Sequence, residues 1–182
     1  MTIIPYWSFR YSVLTSIAFP HSIKTIEKEA FRNAKALETV ILNEGLEKID
    51  WAAFSGSGIK TIHIPSSVQT VGTELFSSSS LERFDIPSGW SAIPYATFSN
   101  CKSLRNIVIP VNILTIEKWA FLNCSALEYI RIESVTPPVI TGIEVFKDSS
   151  CPIYVPSYSL DIYKAAINWS NYASRIQAIP DE

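Results

Sequence analysis

The chain contains few of the residues on which enzymes most often depend: it has two histidines and three cysteines among 182 residues. His21 and His63 lie far apart along the chain, and neither is placed to act as the base for a serine or cysteine nucleophile. The cysteines show no C-x-x-C spacing, and no histidine cluster accompanies them as a metal site would require. The sequence therefore predicts a protein with no catalytic residues, no metal and no cofactor.

Two other features are missing: an excess of basic residues and a long apolar run. The formal net charge of −2 and the pI near 5.7 argue against nucleic acid or an anionic membrane as the partner. No apolar stretch approaches the ~20 residues that cross a bilayer, so no membrane insertion is predicted. Residues 1–13 also lack the charged and apolar regions of a signal peptide. Hydrophobic residues are nevertheless plentiful at 47%, enough to fill the core of a folded module.

What the chain does have is a regular spacing of phenylalanines. Seven of them recur at intervals of 22 to 25 residues, at Phe9, Phe31, Phe54, Phe76, Phe98, Phe121 and Phe146. A recurrence with this period indicates a repeat solenoid, in which successive units stack and share one core. The spacing therefore predicts that each phenylalanine packs between the phenylalanines of the neighbouring units.

Alignment on the phenylalanines gives the rest of the repeat. Units start at Leu14, Leu37, Ile59, Leu81, Leu104 and Leu127. Apolar residues alternate after each start, which predicts a short strand, and proline often follows at the strand end. About fifteen residues remain before the next strand, so successive strands must be parallel. A further apolar pair closes the turn, and the segment before each Ala–Phe step has room for about one helical turn.

This unit resembles the BspA-type leucine-rich repeat of bacterial surface-associated proteins. The resemblance is carried by residues 104–110, of sequence LRNIVIP, and by the residues that follow them up to the start of the next repeat, Ile116, Ala120, Phe121, Cys124 and Leu127. It implies a right-handed β/α superhelix with a parallel sheet on its concave face and single helical turns on the return side. It also implies a cell-surface or secreted location and adhesion to surface molecules.

The two chain ends complete the predicted organisation, a single leucine-rich-repeat domain over residues 1–182. Residues 1–13 correspond to the second half of a repeat, and repeats fill 14–132. We expect the truncated first unit to leave a sheet edge open to edge-to-edge self-association. Residues 133–182 form an irregular last repeat and a C-terminal cap, with a strand at 153–156 and a helix over 160–168 that has Ser159 as its N-cap.

Two cysteines occupy the same position in neighbouring repeats. Equivalent positions of stacked coils lie roughly 5 Å apart, so Cys101 and Cys124 are within reach of a disulfide. The other members of this column are small residues such as Ala34 and Ser57, which favours buried free thiols. The sequence leaves the choice between these two states open.

The outward strand positions are the predicted location of a binding function. One position after each repeat start the charge alternates from Glu38 to Glu128, which is best explained as cross-strand pairing that fixes the register. The other outward positions mix charged and aromatic residues, as protein-recognition surfaces do, although a plain solvated sheet could show the same mixture. The candidate contact residues are His63, Arg83, Asp85, Arg105, Tyr129 and Arg131.

The predicted function is therefore a non-catalytic module that binds an extracellular protein or a glycan. The alternative is a structural spacer within a longer surface protein, for which no patch of unusual composition is expected. A hydrolase is a remote third possibility, since it would need a deep pocket in which two carboxylates converge.

Overall fold

The computed structural model describes residues 2–180, which form a solenoid of parallel strands. Most of its strands contain only two to four residues, and one short α-helix lies near the C-terminal end. In chain order the strands are β1 (Ile3–Ile4), β2 (Ser16–Ala18), β3 (Thr25–Ile26), β4 (Thr39–Ile41), β5 (Lys48–Ile49), β6 (Thr70–Val71), β7 (Ala92–Ile93), β8 (Asn106–Ile109), β9 (Thr115–Ile116), β10 (Tyr129–Ile132), β11 (Val139–Ile140), β12 (Ile153–Val155) and β13 (Ile176–Ala178).

In the repeats that start at Leu14, Leu37, Leu104 and Leu127 the first strand lies where the alternating apolar motif predicts it, whereas the repeats that start at Ile59 and Leu81 form no first strand. Strands β8, β10, β12 and β13 pair side by side and in parallel, and β2 pairs with β4 in the same way. In the register of this sheet Ile130 lies opposite both Ile107 and Ile153. Inward side chains therefore stack on inward side chains from coil to coil, as the predicted repeat requires.

A second column of strands was not predicted. The second residue of the apolar pair that is predicted only to close a turn lies in a two-residue strand, and these strands are ordered β1-β3-β5-β6 and β7-β9-β11. Ile26 is buried opposite Ile49, and Ile93 opposite Ile116. A strand of two residues is too short to show the alternation by which strands are recognised in a sequence.

The return side is built from consecutive turns that bond to the neighbouring coil, in the segment where one helical turn was expected. The main-chain N–H groups of Phe31, Phe54 and Phe76 donate to carbonyl oxygens of the next coil at 2.8, 3.0 and 2.9 Å. Each complete coil here holds two residues at positive φ, such as Glu29 at 55° and Asn33 at 58°. Side chains other than glycine disfavour this region, so the bonds between coils stabilise it. We call this continuous set of bonds the turn column.

The predicted phenylalanine stack is confirmed. From Phe9 to Phe146 adjacent rings lie 4.9 to 5.9 Å apart with interplanar angles of 3 to 18°. The five rings from Phe31 to Phe121 are at most 1% exposed. The stack therefore forms the centre of one core shared by all coils.

The C-terminal cap closes one end of this core. Trp169 and Tyr172 pack on Phe146 at centroid distances of 5.8 and 5.2 Å. The indole Nε1–H of Trp169 donates to the carbonyl of Pro138 at 2.8 Å, and the hydroxyl of Tyr163 donates to that of Ser134 at 2.8 Å. The aromatic residues of the cap thus seal the last coil with both apolar and hydrogen-bonding contacts.

Two details of the cap differ from the prediction. The helix α1 covers Leu160–Ala165 and stops before Asn168, because Ala166 is extended and Asn168 has a φ of 66°. A 3-10 helix, Trp169–Arg175, follows it. Ser159 occupies the N-cap position but makes no side-chain capping bond.

Cys101 and Cys124 are buried free thiols in the structure. Their Sγ atoms donate to the carbonyl oxygens of Phe76 and Phe98, each at 3.1 Å. Burial raises the pKa of the Cys101 thiol to about 12 and also raises that of Cys124. The small-residue column therefore holds neutral thiols inside the core.

Candidate functional site: a groove on the strand face

The outward side chains of the first strand of each coil form one surface, which we call the strand face. It corresponds to the predicted concave face, and all six candidate residues belong to it. Three of them, His63, Arg83 and Asp85, come together around one groove. Its volume is about 520 Å³, and it is lined by residues 38–40, 61–63 and 83–85.

The other three candidate residues lie further along the strand face. Arg105 forms an ion pair with Glu128 at 3.9 Å between two exposed side chains. Tyr129 and Arg131 are half-buried on β10, and the ring of Tyr129 lies 6.1 Å from that of Tyr154. The structure thus separates the predicted set into a polar groove and a region that contains two tyrosines.

The groove lies where the first sheet is interrupted. Residues 61–64 and 84–86 follow the same sequence motif as the other first strands, yet they form no strand. On the strand side, the last bonds between these two coils run from the N–H groups of Glu82 and Arg83 to the carbonyl of Lys60, at 2.8 and 3.4 Å. Beyond that point the main-chain groups of 61–64 and 84–86 make no hydrogen bond with the described residues.

The second sheet is interrupted between the same two coils. Strand β6 pairs only with β5 and strand β7 only with β9 among the described strands, so no ladder joins β6 to β7. The turn column, by contrast, continues across this boundary, with the N–H of Phe76 donating to the carbonyl of Thr97 at 2.9 Å. The two coils are therefore joined on the return side and separated on the strand side.

Two bulky buried side chains explain this separation. Phe84 occupies an inward position at which the other coils have the aliphatic residues Ile17, Val40, Ile62, Ile107 and Ile130. Trp90 occupies a second inward position, at which other coils have Ile23, Leu46, Val68 and Ile113. Both are at most 5% exposed, and their rings lie 5.7 Å apart. Two aromatic rings need more space than two aliphatic side chains, and closely packed interiors respond by shifting the backbone.

The phenylalanine stack is also widest at this boundary. The centroid distances from Phe76 to Phe54 and to Phe98 are 5.8 and 5.9 Å, whereas Phe9 and Phe31 lie 4.9 Å apart. In addition, the indole Nε1–H of Trp90 is buried without a hydrogen-bond partner. The wide ring spacing and the unpaired indole N–H agree with a coil in which Phe84 and Trp90 occupy more volume than the aliphatic residues of the other coils.

The charged side chains that line the groove have no hydrogen-bond or ion-pair partner among the described residues. Glu38, His63, Arg83 and Asp85 make no side-chain hydrogen bond or ion pair within residues 2–180. Of the alternating charges, Lys60 and Glu82 do pair, at 3.9 Å. Glu38 and Lys60, and likewise Glu82 and Arg105, are not within ion-pair distance of one another. The groove therefore offers donors and acceptors that remain available to a ligand.

The groove offers binding groups and no assembled catalytic chemistry. His63 has no hydrogen-bond partner among the described residues, so the structure forms no nucleophile–base pair with it. No group of three or more potential metal ligands is found in residues 2–180. In the same part of the chain, no helix has the length and apolarity needed to cross a membrane.

Sequence reasoning identified three residues of the groove but not the groove itself. The sequence pattern places Glu38 in the column of alternating charges and Thr39 and Thr61 among the other outward positions, and it singles out none of the three as a contact residue. The signal that could have located the site is an aromatic residue, Phe84, in a column that is otherwise aliphatic, together with Trp90 in the same coil.

Parallel strands stacked at a spacing of 22 to 25 residues around an aromatic core define a leucine-rich-repeat solenoid. Residues 2–128 match the BspA type leucine rich repeat region in six copies, and the chain belongs to this family. The family is one of bacterial surface proteins. No curated protein matches the chain.

Solved structures of bacterial leucine-rich-repeat proteins share the fold. One from Eubacterium ventriosum has 22% identity and a TM-score of 0.60, over 76% of this chain and 44% of its own. One from Bacteroides ovatus has 22% identity and a TM-score of 0.57, over 85% of this chain and 47% of its own. The chain thus corresponds to less than half the length of these proteins, and at this identity the likeness concerns the fold.

Proposed function

We propose that this chain is a non-catalytic recognition module of a bacterial surface or secreted protein, and that its strand face binds an extracellular protein or a glycan. The observation that carries the proposal is the groove, where charged side chains of both signs meet without internal partners. Polar groups without partners on a rigid scaffold are suited to recognition, because few contacts must be broken before a ligand binds. The family supports the surface location.

The second region of the strand face suits a protein partner. Tyr129 and Tyr154 lie side by side, with Arg131 on the same strand as Tyr129 and the exposed Val108 on the neighbouring strand. Tyrosine and arginine are enriched among the residues that dominate binding energy at protein interfaces. The two regions together form a face with polar groups at one end and aromatic groups at the other.

The test is to immobilise the chain and measure binding to purified extracellular-matrix proteins and to a glycan array. The triple variant R83A/Y129A/R131A removes side chains from both regions, and K102A/Y158A/K164A is a matched control on other surfaces. We expect the first variant to lose at least tenfold in affinity for a ligand that the wild type binds, while the control retains it. Equal affinity of the wild type and the first variant would exclude the strand face as the binding surface. Circular dichroism checks that both variants remain folded.

We further propose that the open edge of the first sheet associates with a second copy of the chain. Strand β2 pairs only with β4 in the described structure, and the nearby side chains of Tyr11, Val13 and Leu14 are 63, 85 and 42% exposed. The N–H of Phe19 donates to the carbonyl of Ile41, so the alternate N–H of Ala18 points to the open side.

Size-exclusion chromatography with light scattering tests this association. We expect the wild type to elute as a species larger than the 20.4 kDa monomer. The variant Ala18→Pro should be monomeric, because proline removes the outward N–H without removing a bond to β4. A monomer at all concentrations would contradict edge pairing.

A further inference from the structure

We propose that the groove at residues 38–40, 61–63 and 83–85 is a subsite for a short neutral oligosaccharide. The inference rests on the proposed binding function of the strand face and specifies the ligand class for one part of it. The groove crosses three coils, and its volume of about 520 Å³ lies within the range typical of small-molecule sites.

The polar groups of the groove match those of a sugar. Each sugar hydroxyl both donates and accepts hydrogen bonds, so a suitable site must supply both functions. Glu38 and Asp85 supply carboxylate acceptors, Arg83 supplies a fork of donors, and the Thr39 and Thr61 hydroxyls can do either. Planar carboxylate and guanidinium groups can each bond two neighbouring atoms of a ligand at once.

The main chain adds further hydrogen-bonding groups. Because residues 61–64 and 84–86 pair with no neighbouring strand, their N–H and C=O groups keep hydrogen-bonding capacity that paired strands lack. Of these residues, 61–63, 84 and 85 line the same groove. A ligand rich in hydroxyls can use them, whereas a continuous sheet would offer none.

The charge of the groove favours a neutral sugar over an acidic one. Two carboxylates, Glu38 and Asp85, face one guanidinium, Arg83, while Lys60 and Glu82 beside them compensate each other. Glu38, Asp85 and Arg83 together give the groove a formal charge of −1. A uronic acid or sulfated sugar would be repelled by this surplus.

The groove floor argues against a protein side chain as the main occupant of this subsite. The floor residues Val40, Ile62 and Phe84 are only 7, 8 and 5% exposed, so they offer little apolar surface to an incoming side chain. Protein hot spots depend on large side chains buried in desolvated pockets. An oligosaccharide can be bound mainly through its hydroxyls and needs no such pocket.

The experiment titrates the full chain with trisaccharides of glucose, mannose, xylose and N-acetylglucosamine, using saturation-transfer NMR to detect binding and calorimetry to measure it. Trigalacturonic acid is the acidic comparison. We expect at least one neutral trisaccharide to bind in the millimolar range or tighter, and Asp85→Ala to weaken it at least tenfold. Tyr158→Ala, an exposed tyrosine outside the strand face, should leave the affinity unchanged. If Asp85→Ala does not fold, Asp85→Asn removes the charge while keeping the shape.

Each other outcome overturns a defined part of the reasoning. If no neutral trisaccharide binds, or if binding is unchanged in Asp85→Ala, this groove is not a sugar subsite. If trigalacturonic acid binds as tightly as the neutral sugars, the charge argument is wrong. If sugars do not bind but a protein ligand still depends on Arg83, Tyr129 and Arg131, the sugar inference fails and the proposed function stands. If the sugar titration and the test of the triple variant both give negative results, the sugar inference and the proposed function are both wrong.

Discussion

The phenylalanine stack leads to a quantitative prediction about stability. Phe98 is fully buried, and its ring lies 5.9 Å from Phe76, 5.2 Å from Phe121 and 5.2 Å from Phe84. Truncation of a buried phenylalanine to alanine costs about 3–5 kcal/mol. Because coils on both sides are held in place by the turn column, the cavity can collapse little, and we expect Phe98→Ala to cost about 4–5 kcal/mol. That is a large part of the roughly 5–15 kcal/mol by which domains are stable.

The matched control is Phe9→Ala at the open end of the same stack. Phe9 is half-buried and stacks on Phe31 alone, at 4.9 Å, so its truncation should cost about 1–2 kcal/mol, near the transfer free energy of a partly buried side chain. Urea unfolding followed by circular dichroism measures both free energies. A cost below about 2 kcal/mol for Phe98→Ala, or equal costs for the two variants, would refute the view that the stack is the main source of stability.

Three further predictions concern the groove, the ion pair between Lys118 and Glu144, and the buried thiols. Amide hydrogens of residues 61–64 and 84–86 should exchange far faster than those of β8 and β10, and equal protection would show that the sheet is continuous. The pKa of Glu144 is lowered from 4.5 to about 2, chiefly by its hydrogen bond with Lys118. The contact between the two side chains therefore stabilises the folded chain above pH 4.5, and this stabilisation is lost as the pH falls towards 2. The urea-midpoint difference between wild type and Glu144→Gln should therefore shrink over that range, and a constant difference would contradict the ion pair. Cys101 should resist alkylation in the folded chain at pH 8 and react once urea unfolds it, because burial raises its pKa to about 12; rapid labelling of the folded chain would show that the thiol is accessible.

The architecture was predictable because the repeat itself encodes it. The spacing of Phe31, Phe54 and Phe76 requires equal coils, and the alternation around Ile107 requires a strand. Both signals extend over several residues and recur in several units. The stack and the first sheet follow from them directly.

The features that escaped prediction depend on contacts between coils. A pair such as Thr25–Ile26 carries no periodic signal, and becomes a strand only because Lys48–Ile49 lies beside it. The sequence does not predict the positive φ of Glu29, because glutamate normally avoids this region of backbone conformation. This conformation is stabilised by bonds to the next coil, which no local pattern describes.

The groove escaped prediction for a different reason. Phe84 satisfies the repeat pattern as an apolar residue at an inward position, so a motif treats it as equivalent to isoleucine. Its consequence depends on volume, and on the presence of Trp90 in the same coil. Residues of the correct polarity and the wrong size therefore mark a place where a regular array can become irregular.

Both sheets are interrupted at a boundary where the turn column is continuous. The shape of the strand face can therefore vary there without loss of the bonds that join the coils. Ligand preference in repeat proteins is ordinarily changed through exposed residues, which leave the scaffold as it was. Here two hidden side chains, Phe84 and Trp90, pack beneath the strand-side separation, and the turn column continues across the same boundary. We therefore expect substitutions of these two core residues to change the width of the groove while every exposed residue stays the same.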